Sequence, residues 1–216
     1  MDTTSPDTAE GSVDAAETPE SHTSWKRFAL FSVPATAAVG GILVAMASGA
    51  LAASFTVSGQ EFKISADELQ GEGFVQYGWV NETIRGEAVP TAVAGIREAE
   101  LNNLCQSVLT EMPIIGQVSL QLTAGTGDTP VQASNLIIDM EQMDGNAEFN
   151  NMEIGRDAST LDKGPEAAKG FNDLFGMQSD TIYVEDLEQT AISATAGTFR
   201  LADLSLGISS GSNECF

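Results

Sequence analysis

The hydrophobic pattern changes character once along the chain. From Phe28 to about Ala53 apolar and small residues run on without a charge. That is long enough to span a bilayer, for which about 20 apolar residues suffice. The run lacks the polar stripe of a surface helix. Through residues 54–216 apolar and polar positions mostly alternate with period two, in stretches rich in Thr, Val and Ile and punctuated by Gly. That alternation predicts half-buried β-strands. Only Glu166–Phe175, after Gly164-Pro165, suggests a short helix or a loop.

Within this β region an eight-residue pattern recurs. Position one is apolar or small, three is apolar, five is Asn or Asp, six is a large apolar residue and eight is variable. It begins at Ala99, Val131, Ala147, Ile182 and Phe199, and a degenerate copy with one inserted residue runs from Phe62 to Leu69. Positions one and three face the same way on a strand, and position six breaks the alternation. An Asn or Asp at position five tolerates left-handed backbone and suits a bend or bulge that restores the inward direction. The expectation is a mostly β domain, either a curved antiparallel sheet with an apolar concave face or a β-sandwich with incidental asparagines. The spacing of the copies is too irregular for a solenoid. On the curved-sheet reading, Leu101, Leu104, Leu136, Phe149, Met152, Val184, Leu187, Leu201 and Leu204 are the candidate lining residues for an apolar ligand.

Charge sharpens the partition of the chain. Lys26 and Arg27 precede the apolar run and no basic residue follows until Lys63. The positive-inside bias places residues 1–24 in the cytoplasm and residues 54–216 outside it. Residues 1–24 carry six acids and almost no bulky apolar side chain, so they read as a disordered acidic tail. Residues 25–53 read as a transmembrane anchor or a signal peptide, since Ala50-Leu51-Ala52 has the small-x-small form of a cleavage site. Gly40 and Gly41 offer close helix packing to a membrane-protein partner, without a strict Gly-x-x-x-Gly. The formal charge of −22 argues against nucleic acid, whose phosphates need Lys and Arg, and against anionic lipid surfaces. The expected location is the cell membrane, single-pass with the body outside, or the exterior after cleavage near Ala52.

Cys105 and Cys215 are the only cysteines. In an exported domain an even count reads as a disulfide. Closing so long a loop stabilises by roughly 4–5 kcal/mol in the chain-entropy account. No cofactor and no metal site are expected. Asp139, Glu141 and Asp144 alternate around Met140 and Met143, which suits a solvated strand face better than a calcium loop. Gly125-Thr126-Gly127-Asp128 reads as a hairpin turn between Val118–Thr123 and Val131–Ile138.

Several stretches resemble an actinobacterial family of uncharacterised, membrane-anchored or exported proteins. They are Trp25–Ala29, Gly49–Phe55, Val57–Gly59, Gln76–Gly78, Cys105–Val108, Gly116–Leu120, Thr123–Gly127, Thr195–Leu201 and the Cys-aromatic ending Glu214-Cys215-Phe216. Members of that family are often labelled "cholesterol esterase", and the resemblance implies no established activity. The residues speak against the label. Gly207-Ile208-Ser209-Ser210-Gly211 has the Gly-x-Ser-x-Gly form, but only five residues follow it, too few for the helix, acid and histidine of a hydrolase elbow. The only histidine, His22, precedes the apolar run. A Ser-Lys pair using Lys63, Lys163 or Lys169 finds no support in spacing. The expected function is that of a non-enzymatic cell-envelope protein binding an apolar ligand such as a lipid. The alternatives are a structural or interaction subunit of a membrane complex and, behind it, an esterase.

Overall fold

The computed structural model describes residues 57–216. The acidic tail, the apolar run of 28–53, its cleavage site and His22 lie outside the described residues. The strands are β1 (Phe62–Glu82), β2 (Ala88–Asn102), β3 (Leu104–Met112), β4 (Gly116–Ala124), β5 (Val131–Asn150), β6 (Glu153–Asp157), β7 (Phe175–Thr195), β8 (Thr198–Arg200) and β9 (Ser205–Ser210). A single 3₁₀ turn, Ala158–Thr160, is the one helical element among the described residues. All nine strands belong to one antiparallel sheet, in the order β6-β7-β5-β2-β1-β3-β4-β9 with β8 on β5. The domain is therefore a curved sheet and not a sandwich of two.

The sheet is also wound on itself, because β7 pairs with both β5 and β1. One line of paired neighbours leaves β1 at Gly78, crosses Ala92, Met140 and Ala191, and returns to β1 at Phe62. Each strand thus coils around the roll, and the two ends of β1 come together. This explains how Val57, five residues before β1, bridges to Thr83 just beyond it. The inward positions form one core, in which Phe74, Val131, Met140, Val184 and Leu187 are almost fully buried.

The Asn and Asp of the repeat set the bends. Asn103, Asn135, Asn151, Asp186 and Asp203, position five in all five full copies, have φ of 52°, 48°, 53°, 51° and 53°. These are left-handed conformations in which a short polar side chain is tolerated. At Asn103 the line of β2 continues into β3 while β1 stays in register with both, from Glu68↔Asn102 to Ser65↔Cys105. Positions one, three and six are buried in the copies starting at Ala99, Val131 and Ile182, as the pattern predicts. In the copies starting at Ala147 and Phe199 they are partly or largely exposed. The degenerate copy carries no left-handed residue. Its Asp67 lies opposite Asn103 and accepts a hydrogen bond from Asn103 Nδ2 at 2.6 Å.

Gly125–Asp128 is not a hairpin turn. β4 pairs with β3 and β9, and β5 pairs with β2, β7 and β8. Since β2 and β3 form one line, β4 and β5 follow each other along the same edge in the same direction. The Gly-rich segment lets that edge bend beside Asn103, whose N–H donates to the Gly125 carbonyl. Phe175 opens β7, and Glu166–Leu174 is a loop, not a helix. It belongs to a strap, residues 158–174, that lies across the outer face of the roll on Val75, Tyr77 and Val93. The strap sits close because Gly95 beneath it has no side chain. A Cβ there would stand 2.5 Å from the Cβ of Ala168.

Candidate functional site

The roll closes over most of its length but not at the end formed by β3, β4 and β9. Register assigns the faces of this three-stranded flap. Gln106, Leu122 and Leu206 form one row with Ile64 of β1, and Val108, Leu120 and Ile208 form the next. Paired residues point the same way, so apart from Gln106 the inner face of the flap is aliphatic and continuous with the core. Nothing among the described residues covers it. Leu206 is 62% exposed and Ile208 74% exposed. The opposite face is polar and is covered by the C-terminus. Cys215 is bonded to Cys105 across 110 residues. The Cys215 N–H donates to Ser107 Oγ, Asn213 N–H donates to Ser119 Oγ, and Lys63 Nζ donates to the Phe216 carbonyl. The disulfide therefore pins the tail to the back of the flap and leaves its apolar front open.

Where the flap joins the roll the sheet encloses a cavity of about 280 Å³. Phe62, Ile64, Leu69, Leu104, Leu136, Leu187 and Phe199 form half of its wall. Its size lies just below the usual range for ligand sites, about 300–1,000 Å³. Two glutamines stand in this wall, Gln106 on β3 and Gln189 on β7, both paired with Ile64 between them. Gln189 is only 3% exposed and its Nε2 has no hydrogen-bond partner among the described residues. A buried donor left unmet costs about 1–3 kcal/mol. Among the described residues that line the cavity none is charged.

Of the nine candidate lining residues, the cavity brings together Leu101, Leu104, Leu136 and Leu187. Val184 is buried in the core behind them. Phe149 packs on Phe74, ring centres 5.4 Å apart, and Leu201 packs partly against the core. Met152 is half-buried between β5 and β6, and Leu204 is 53% exposed between β8 and β9. The sequence pattern had passed over Gln106, Ile138 and Gln189. All three occupy position eight of their copies, two residues beyond position six and so on the same face. Phe62, Ile64 and Leu69 belong to the degenerate copy.

A family of unknown function, DUF6230, matches residues 58–216. The chain belongs to this family. The DUF6230 match takes in the roll, the strap, the flap and the pinned tail, and therefore every residue of the cavity. Comparison with curated proteins and with solved structures yields no match.

Elsewhere the DUF6230 domain offers less. A wider, open depression of about 760 Å³ on the outer face is lined by Gln70, Glu72, Glu98, Glu100, Tyr183 and Arg200 among others, with Ala99, Ala133 and Ile182 at its base, a surface of mixed character. Ser209 lies in β9, an exposed strand, with its Oγ accepting from Asn213 Nδ2 at 3.0 Å. Lys63 and Lys163 are engaged by Glu214 and Asp180. Asp139 accepts from Ser193 Oγ, and Asp144 accepts from Gln142. No group of three metal-ligating side chains occurs among the described residues.

The strap is the most densely bonded polar region. Gln178 is fully buried, accepts from the N–H groups of Asp162 and Lys163, and donates to Glu153 and Asp162. Hydrogen bonds from Arg156, Gln178 and Lys163 pull Glu153 down to about 2. Burial beneath the strap, with the charge of Asp139 nearby, pushes Tyr77 up to about 12.

Proposed function

We propose that this is a non-enzymatic cell-envelope protein that holds an apolar ligand such as a lipid in the cavity and along the flap. The observation that carries the reading is the open end of the roll, where an aliphatic face continues outward from the core with no cover among the described residues. A stable domain ordinarily buries such a surface, and one left open marks an interaction site. Residues 28–53, read as a membrane anchor or as a leader removed near Ala52, end a few residues before Val57. They would hold the site at the outer membrane surface. The test is native mass spectrometry of the full chain extracted from its membrane, with lipid analysis of what is released. The expected result is a bound apolar molecule, displaced when Leu104→Trp fills the cavity. A wild-type chain that is consistently empty and gains no mass from added lipid overturns the reading.

One observation favours a structural or interaction subunit of a membrane complex. Among the described residues β9 pairs only with β4 and its other edge offers unpaired backbone groups beside exposed aliphatic side chains. Cross-linking in cells from a residue placed on β9 would recover a protein partner on that reading, and only lipid on the first. An esterase has the weakest support, since Ser209 has a strand position and an amide neighbour in place of a base. Ester hydrolysis abolished by Ser209→Ala would restore it.

A further inference from the structure

Resting on that reading, we infer that the cavity selects an uncharged acyl group, and that Gln189, flanked by Gln106 across Ile64, donates a hydrogen bond to its carbonyl oxygen. The two glutamines are the chemistry that distinguishes this wall from ordinary core. Both occupy position eight of their repeats, a position filled by Ile138 in a third copy, so an aliphatic residue is compatible with the fold there. An amide at such a site with no partner for its Nε2 among the described residues is a donor held ready in an apolar enclosure, where burial strengthens each hydrogen bond it makes.

The charge of the lining decides the ligand class. A carboxylate placed here would be desolvated with no cation to receive it. Lys63 neighbours Ile64 in sequence but its side chain points to the outer face, where it bonds Phe216 and Glu214. A pure hydrocarbon would leave the Gln189 amide unmet. A neutral ester or amide carbonyl satisfies both conditions. The small volume holds a short stretch of acyl chain beside the carbonyl, and the remainder of a lipid would lie on Leu120, Leu122, Leu206 and Ile208.

The full chain, kept soluble in an amphipathic polymer, is exposed to three photoactivatable probes of equal chain length: a monoacylglycerol, a fatty acid and an alkane. After irradiation the labelled peptides are mapped. We expect the monoacylglycerol to label the β3, β5 and β7 cavity segments about tenfold more efficiently than the alkane, the yield of one well-placed hydrogen bond, and more than the fatty acid. Gln189→Leu should erase the preference for ester over alkane while leaving alkane labelling in place. In wild-type protein, added unlabelled monoacylglycerol should shift the Gln189 side-chain amide resonance in ¹⁵N–¹H spectra, which decides the matter even if the variant fails to fold. Equal labelling by ester and alkane, or an unmoved amide resonance, overturns the carbonyl contact and leaves the lipid-binding reading standing. Fatty acid labelling that matches the ester overturns the neutral-ligand selection. No labelling of these segments by any probe removes both.

Discussion

At position five of the repeat the backbone is left-handed in Asn103, Asn135, Asn151, Asp186 and Asp203, and the cost of placing another residue there is local and calculable. For an L-residue with a bulky Cβ it is about 1–2 kcal/mol. Asn103→Val should therefore lower unfolding stability by at least that amount, because the bond to Asp67 is lost as well, whereas Asn103→Gly should cost less. Urea unfolding of both variants checks the order, and equal losses would show that the bend does not depend on φ. Gln178 makes a different kind of contribution. Its carboxamide oxygen is the acceptor for two N–H groups of the strap. Gln178→Leu should destabilise by about 1–3 kcal/mol, since donors would be left buried without partners. Hydrogen exchange should quicken at Asp162 and Lys163 ahead of the core strands.

The strap is the element whose stability follows pH. Glu153 has a folded value of about 2 against an ordinary 4.5. A lowered acid stabilises above its unfolded value and loses that contribution as pH falls, so the strap should loosen between about pH 4.5 and 2. Tyr77 has its value raised from 10.0 to about 12. Its contribution is complete below 10 and is lost as pH rises from 10 to 12. Limited proteolysis across pH should find cleavage within residues 158–174 at both extremes, and Glu153→Gln should shrink the acid limb alone, the rest falling to Asp157 and Asp180, which hydrogen bonds from Ser159, Asp173 and Lys163 also hold low. An acid limb unchanged in that variant would assign it to other carboxylates. The flap behaves as a separate element with no titrating contact of this kind on its apolar face.

For the whole molecule, the bond between Cys105 and Cys215 joins the middle of the sheet to the chain end. In the chain-entropy account a loop of 110 residues is worth roughly 4–5 kcal/mol, with measured values often smaller. The double variant Cys105→Ser, Cys215→Ser should unfold at lower denaturant concentration. The last six residues should lose hydrogen-exchange protection first, since Ser107, Ser119 and Lys63 would then hold the tail alone. A tail still protected to the global limit would mean that those bonds suffice. The sheet winding should survive the change, because it rests on the pairing of β7 with both β1 and β5.

Period-two alternation, the repeat and the place of Asn or Asp within it were enough to foresee strands with an inward face and bends at named residues, because these depend on neighbours along the chain. The pairing of β7 with β1 was not legible, nor was the collinearity of β4 and β5 across Gly125, since both are decided by partners distant in sequence. The same division explains the site. Leu101, Leu104, Leu136 and Leu187 were visible as apolar positions of the pattern, but their gathering around one cavity was not. Nor was the isolation of the Gln189 amide, because a polar residue at position eight looks like any solvated one until the sheet folds over it. Local steric and hydrophobic rules therefore determined which residues turn inward. The closure of the sheet on one side and its opening on the other decided which of them are core and which remain free to meet a ligand.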